Sequence, residues 1–241
     1  MGKEKFHEII RNNIERTGFH ITQVASGTSP RWAYTIGLRE SYNIELVFAG
    51  GVYYLAKQLD DIFHQIISEI IKQNGNFFDK IDLGELGTFS LQHVDQSWSK
   101  RLMLGVYDYY QVTEANVFQI VPDEEHLTLD VPDMSNSFDT APEPVWQWLE
   151  KDWDLGVPEK STVVCNVEVL MGVPILELTR WEEDYWEMFS EEGPEVENSR
   201  KRVVSIGTII AIDPSVAHAL NLPLEKGFMR DSVDDDWRNW G

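Results

Sequence analysis

A long series of apolar residues at helical spacing lies in the first half of this 241-residue chain. It predicts a helix from about Val52 to Gln73 that ends at Asn74 and Gly75, because glycine commonly follows the last turn of a helix. The apolar positions recur at i, i+3 and i+4 and form one stripe: Leu55, Leu59, Ile62, Phe63, Ile66, Ile67, Ile70 and Ile71. A stripe of this length needs a sheet to cover, which restricts the chain to folds with a helix layer on a sheet.

Two β-rich runs joined by a Gly/Pro turn precede this helix. They cover residues 18–24 and 31–38, and the turn Gly27-Thr28-Ser29-Pro30 between them predicts a hairpin. A third strand is predicted over 44–49. Three strands followed by a helix favour an α+β fold with a mostly antiparallel sheet and a long packed helix.

The second strand of the hairpin places Trp32, Tyr34 and Ile36 on one face. Large aromatic pairs of this kind are mostly core anchors, because their rings bury much apolar area. The alternative is a ligand-contacting wall with His20 and Arg31 at its rim.

The remaining pattern completes a first unit and predicts a second, smaller α+β unit. In the first unit, strands are expected over 88–94 and 117–123 around a helix over 97–110, and Pro, Ser and Asp mark a loop over 130–144. A short helix over 146–153 closes the first unit. Further strands are predicted over 161–169, 173–178 and 202–214, followed by a helix over 215–220. We therefore expect two units, residues 1–155 and residues 156–241.

Three segments carry a recognisable pattern: the strand Gly18-Phe19-His20-Ile21, the strand Trp32-Ala33-Tyr34-Thr35-Ile36-Gly37-Leu38 and the segment Val117-Phe118-Gln119-Ile120-Val121-Pro122-Asp123. Together they resemble a bacterial family catalogued as domain of unknown function 4262. The resemblance covers roughly residues 15–150. Two departures concern the third segment: Val121 stands where the family has Trp, and Glu124-Glu125-His126-Leu127 replaces a Gly-Arg-Phe-Pro-Trp turn.

The formal net charge is −21, and residues 133–241 carry 23 acidic and 9 basic residues. Such a field repels nucleic acid and anionic membranes, so we expect neither as a partner and favour a basic protein. The alternative is that the charge serves solubility alone. The lone Cys165, the absence of an apolar signal region in residues 1–7 and the absence of an apolar run of about 20 residues predict a cytoplasmic protein.

One acidic and aromatic segment is the best candidate binding surface. Acidic groups beside Trp and Tyr can engage Lys or Arg by ion pairing and cation–π contact at once. The predicted binding residues are Trp181, Glu182, Glu183, Asp184, Tyr185 and Trp186, with Asp234, Asp235 and Asp236 near the terminus. The competing interpretation is a solvated helix that buries Trp181, Tyr185 and Met188 or Phe189.

The closing segment, Leu222-Pro223-Leu224-Glu225-Lys226-Gly227-Phe228-Met229-Arg230 with the terminal Trp240, is similar to a pattern of acidic polymorphic-toxin immunity proteins. The leading hypothesis is thus an acidic protein-binding module, in particular an immunity-type inhibitor that masks a basic effector.

Catalytic motifs are missing from the sequence. It contains no Gly-x-Ser-x-Gly elbow, phosphate-binding Gly-Lys-Ser/Thr loop or His-Glu-x-x-His, and its six histidines are scattered, so we expect no cofactor and no metal. The alternative function is a hydrolase or small-ligand enzyme at the 18–38 hairpin, with His20, Arg31 and Tyr34 and also His93 as candidate catalytic residues.

Overall fold

The computed structural model describes residues 3–75 and 79–240, which divide into two compact units. The first contains the chain up to Val24, Trp32–Leu127 and Asp133–Asp139. The second contains Ala25–Arg31, Thr128–Pro132 and the chain from Thr140 onward. The second unit thus includes residues 140–155, which the sequence analysis placed in the first, and it takes two short segments from within the span of the first.

The first unit is a six-stranded sheet with helices. Its elements are α1 Lys3–Thr17, β1 His20–Val24, β2 Trp32–Ile36, α2 Leu38–Tyr42, β3 Glu45–Ala49, α3 Ala56–Lys72, β4 Ile81–Asp82, β5 Thr88–His93, α4 Gln96–Leu102, α5 Leu104–Tyr110 and β6 Val117–Pro122, with a 3₁₀ turn at Gly84–Leu86. The strand order is β1-β2-β3-β6-β5-β4. Every neighbouring pair is antiparallel except β3 and β6. The predicted hairpin and the predicted fold class are confirmed.

The predicted apolar stripe is buried along α3. The helix begins at Ala56 rather than Val52, because Gly50 and Gly51 hold positive φ angles and the chain turns before it enters the helix. Its C-terminus is closed by Gly75, whose N–H donates to the carbonyl of Ile70 at 2.9 Å. The side chains that form the buried stripe are Leu59, Ile62, Phe63, Ile66, Ile67 and Ile70.

The single helix predicted over 97–110 is wrong, because the chain breaks into α4 and α5 at Met103. The indole N–H of Trp32 donates to the carbonyl of Leu102 at 2.7 Å, which takes that acceptor from the helix. The break also lets Gly105 approach the Tyr34 side chain, where an added Cβ would lie 2.5 Å from the hydroxyl. The aromatic face of β2 thus sets the path of the chain after α4.

The second unit is another six-stranded sheet, in the order β10-β7-β9-β8-β11-β12. Only β7 and β9 are parallel neighbours. Its strands and helices are β7 Thr162–Asn166, α6 Val167–Leu170, β8 Glu177–Glu182, β9 Tyr185–Phe189, β10 Lys201–Ser205, α7 Ile206–Ile212, β11 Lys226–Met229 and β12 Arg238–Trp240. Four 3₁₀ helices complete the description: Pro144–Leu149, Gly193–Glu195, Asn198–Arg200 and Pro214–Asn221.

Two long strands predicted for this unit end early, each at a helix. The strand predicted over 161–169 stops at Asn166, where α6 begins. The strand predicted over 202–214 stops at Ser205, whose side chain accepts the N–H of Gly207 at 3.1 Å and caps α7. Apolar residues that continue past a strand into a buried helix hide this boundary, because they carry no periodicity of their own.

The helix considered for residues 181–189 is also wrong, because this segment is the tight hairpin of β8 and β9. Glu177 pairs with Phe189 and Thr179 with Glu187, and the register shifts between Arg180 and Glu182. The acidic residues 182–184 form the tip of the hairpin. Tyr185 and Phe189 are four residues apart and share a face in a helix and in a strand alike, whereas Trp181 lies on the other strand of the hairpin.

Candidate functional site

The motif that carries the family resemblance surrounds a buried carboxylate in the first unit. Glu45, on β3, is 1% exposed. Its Oε1 accepts the N–H groups of Gly37 at 2.9 Å and Arg39 at 3.2 Å and the hydroxyl of Tyr110 at 2.8 Å. Its Oε2 accepts the hydroxyl of Thr35 at 2.5 Å. All four donors therefore converge on one side chain, which joins β2, α2, β3 and α5.

Burial raises the pKa of Glu45, although the four hydrogen bonds act in the opposite direction. The pKa of Tyr110 is raised by burial and by the neighbouring Glu45. Gly37 has φ 126°, and a Cβ there would lie 2.9 Å from the carbonyl oxygen of Gly18 and 2.9 Å from the Cα of Phe19. Glycine is required for this approach. The motif therefore holds the hairpin together through Glu45.

Three of the four residues predicted for an enzyme site, His20, Tyr34 and His93, lie in the first unit, and His20 and Tyr34 have different environments. The His20 ring is 2.8 Å from the side-chain nitrogen of Asn13, and burial lowers its pKa. Tyr34 is 4% exposed, and burial raises its pKa. Its hydroxyl faces Thr22 and Gly105 within the core. The interpretation of Tyr34 as a core anchor is consistent with this burial.

The other two candidates are Arg31 and His93. Arg31 belongs to the second unit, where burial lowers its pKa. His93 is exposed at the end of β5. His20 pairs with Ile36 at one end of the β1–β2 ladder. Trp32, which follows Arg31 in the chain, lies at the other end, about 13 Å from Ile36 at 3.3 Å per residue. Within the first unit, three other strands of the sheet lie between His20 on β1 and His93 on β5, and the enzyme at this hairpin stays a prediction.

A different cluster forms on the β8–β9 hairpin of the second unit, and we call Trp181, Tyr185 and Glu187 the aromatic–acidic cluster. The indole N–H of Trp181 donates to Glu187 Oε2 at 2.8 Å, and the Tyr185 hydroxyl donates to Glu187 Oε1 at 3.2 Å. Trp181 is 40% exposed. The pKa of Tyr185 is raised by burial and by Glu187. The cluster thus presents a carboxylate between two rings.

The register of the hairpin explains this arrangement. Tyr185 and Glu187 are two residues apart on β9 and therefore share a face, while Trp186 points to the other face. Trp186 is fully buried, its indole N–H donates to the carbonyl of Ala219 at 3.4 Å, and Arg180 lies over its ring at 4.8 Å. Trp186 is therefore a core residue of this unit and is unavailable for direct contact with a partner, contrary to the sequence prediction.

The other predicted binding residues are dispersed. Glu182 and Glu183 are exposed at the tip of the hairpin. Asp184 forms an ion pair with Lys160, and the hydrogen bond from Lys160 lowers its pKa. The acidic residues near the terminus, Asp234, Asp235 and Asp236, are exposed in a turn, where Asp235 accepts the Ser232 hydroxyl at 2.9 Å.

Two residues that the sequence analysis did not select, Glu177 and Glu187, share the partly exposed face of the sheet. Glu187 stands directly opposite Thr179, two residues along β8 from Glu177. Burial raises the pKa of Glu177, and Glu192 and Glu187 raise it further. Glu177 also lines a cavity of about 350 Å³ with Glu191, Glu192, Glu195 and Asp231. The alternation of side chains along the two strands that flank the acidic turn could have indicated from the sequence that Glu177 and Glu187 share a face.

Comparison with known proteins gives a family match that falls mainly in the first unit. The class defined by the fold of this unit is an α+β domain with a mostly antiparallel sheet. Residues 13–127, just under half of the chain, match the family described as Domain of unknown function (DUF4262). The resemblance is confirmed over a shorter span than 15–150. No curated protein and no solved structure matches the chain.

Within residues 3–75 and 79–240, no helix is long and apolar enough to cross a membrane.

Proposed function

We propose that this protein is an acidic protein-binding module that takes a cationic side chain of a basic partner at the aromatic–acidic cluster. The observation that carries the proposal is the Glu187 carboxylate, which two aromatic donors hold on a partly exposed sheet face. A carboxylate flanked by rings attracts a cation through ion pairing and through the negative faces of the rings. The net charge of −21 adds long-range attraction for a basic protein.

The particular role that this binding would serve is immunity-type inhibition, in which the module masks a basic effector inside the cytoplasm. Charge complementarity supports it, because electrostatic steering speeds the association of oppositely charged proteins and gives a masking protein a kinetic advantage. The one cysteine, Cys165, is buried and free, which suits a reducing compartment.

The test is a pulldown from the native cytoplasm at low and at high salt, with mass spectrometry of the eluate. Wild-type protein is compared with Glu187→Gln, which keeps the size of the side chain and removes its charge. The matched control is Glu159→Gln, which removes the same charge from an exposed residue of the second unit. We expect a stoichiometric basic protein that high salt releases, that Glu187→Gln retains poorly and that Glu159→Gln retains fully.

An eluate without a partner would contradict the proposal. Equal retention by Glu187→Gln and the wild type would contradict the assignment of the cluster as the binding surface.

A further inference from the structure

We infer that the aromatic–acidic cluster selects an arginine of its partner over a lysine, with the guanidinium on Glu187 and against the exposed ring of Trp181. This inference rests on the proposed function and specifies its ligand.

Among the described residues, Glu187 has no Lys or Arg ion-pair partner. Among the described residues, Glu187 accepts only the neutral donors of Trp181 and Tyr185, and no Lys or Arg lies within 4.0 Å of it. Several other carboxylates of the second unit are compensated by an internal cation: Glu168 and Glu191 by Arg200, Asp184 by Lys160, and Asp231 by Arg238. Glu187 is thus open to an external cation.

The free acceptor sites of the Glu187 carboxylate favour a guanidinium. A carboxylate has about four acceptor sites, two on each oxygen. One donor occupies each oxygen of Glu187, so one site remains on each. The site that remains on each oxygen can accept one N–H of a guanidinium, whose planar fork donates two hydrogen bonds at once. An ammonium offers a point charge on a flexible stem and gains less from this arrangement.

The exposed indole ring of Trp181 also favours an arginine over a lysine. Trp181 is 40% exposed beside the carboxylate, and a guanidinium stacks on an aromatic face more readily than an ammonium does. Arginines of this chain already combine a ring with oxygen acceptors. Arg230 lies 4.2 Å from the Trp237 ring and donates to the carbonyl of Ile175 at 2.8 Å. Arg180, on the same hairpin, lies over Trp186 and donates to backbone carbonyls.

Glu177 strengthens the site. It lies on the same face, diagonal to Glu187 across the β8–β9 ladder, at a Cβ separation of about 7–8 Å. In the described structure its carboxylate accepts only the N–H of Gly193, at 3.2 Å. A second negative charge at this distance favours a partner segment that carries more than one basic residue.

The experiment compares hexa-arginine with hexalysine, which carry equal charge, by calorimetric titration of the full chain at fixed ionic strength. We expect hexa-arginine to bind roughly five to ten times more tightly, as expected for a bidentate, stacked ion pair over a point charge. The ratio should fall toward one in Glu187→Gln and decrease in Trp181→Phe, which removes the indole donor. Glu159→Gln should keep the ratio, and circular dichroism establishes that each variant is folded.

The outcomes separate this inference from the proposed function. Equal affinity for both peptides, lowered equally by Glu187→Gln, would overturn the arginine preference and leave the cation-binding surface standing. An affinity that Glu187→Gln does not change would overturn both. A preference for arginine that survives in folded Glu187→Gln would show that it arises elsewhere and would overturn the inference.

Discussion

Replacing Glu45 by alanine should destabilise the first unit strongly. The substitution leaves four donors without their acceptor: the N–H groups of Gly37 and Arg39 and the hydroxyls of Thr35 and Tyr110. Arg39 and Tyr110 are partly exposed and can turn to water, whereas Gly37 and Thr35 are buried. A buried donor without a partner costs about 1–3 kcal/mol, so two of them give a loss of about 2–6 kcal/mol. Domains of this kind are typically stable by about 5–15 kcal/mol, so the loss is a large share.

The measurement is urea-induced unfolding, combined with hydrogen exchange of the backbone over residues 32–49. The matched control is Glu40→Ala, an exposed carboxylate on α2 that should change the free energy of unfolding by less than about 0.5 kcal/mol. Exchange should increase over residues 32–49 in Glu45→Ala and remain unchanged in Glu40→Ala. If Glu45→Ala is as stable as Glu40→Ala and exchanges equally slowly, the reasoning from converging donors is refuted.

Glu45→Gln adds a test of the charge. Because the folded pKa of Glu45 is raised, its ionisation is disfavoured in the folded protein relative to the unfolded chain. The stability of the wild type relative to Glu45→Gln should therefore be greatest below the ordinary glutamate pKa of about 4.3 and should decline as the pH rises toward the raised value. A relative stability that rises with pH over this range would contradict the assigned direction.

Three further substitutions or treatments test other parts of the structure. Gly87→Ala should lower the free energy of unfolding, measured in urea, by about 1–3 kcal/mol, because residue 87 has φ 90° and an added Cβ would lie 2.6 Å from the His126 ring. A decrease below about 0.5 kcal/mol would contradict this packing. Arg230→Lys should lower the melting temperature, since lysine cannot both donate to Ile175 and reproduce the stacked guanidinium on Trp237; an unchanged midpoint would refute this role. Cys165 is buried and its pKa is raised by burial, so iodoacetamide should modify it only after unfolding, and rapid native labelling at pH 8 would contradict the burial.

The strongly periodic elements could be predicted from the sequence. The stripe of α3 and the β1–β2 hairpin carry their own pattern and their own turn residues, so local information was sufficient. Glu45 could not be recognised in the same way. It stands in a short apolar strand, and its donors come from residues 35, 37, 39 and 110, so the network appears only when α5 reaches the hairpin.

The secondary structure of the candidate binding segment, residues 181–189, could not be predicted from its spacing. Tyr185 and Phe189 are four residues apart, a spacing that fits one helix face and one strand face equally well, whereas Trp181 lies on the other strand of the hairpin. The choice between the two depends on hydrogen bonds to β7 and β11, which lie distant in sequence. The choice matters for function, because the strand puts Trp186 in the core and Glu187 beside Trp181.

The division of the chain has a consequence for its synthesis. The loop Ala25–Arg31 belongs to the second unit, whose first strand begins only at Thr162. At about 5–20 residues per second, the loop leaves the ribosome roughly 7 to 26 seconds before that strand is made. The first unit can close its hairpin and cover α3 in that interval, while the loop waits without its partners. In a fragment that ends at residue 155, the loop Ala25–Arg31 and the segment Thr128–Pro132 should therefore lack most of the second unit against which they pack. Slow translation of residues 140–241 should prolong the exposure of both segments to proteases and chaperones.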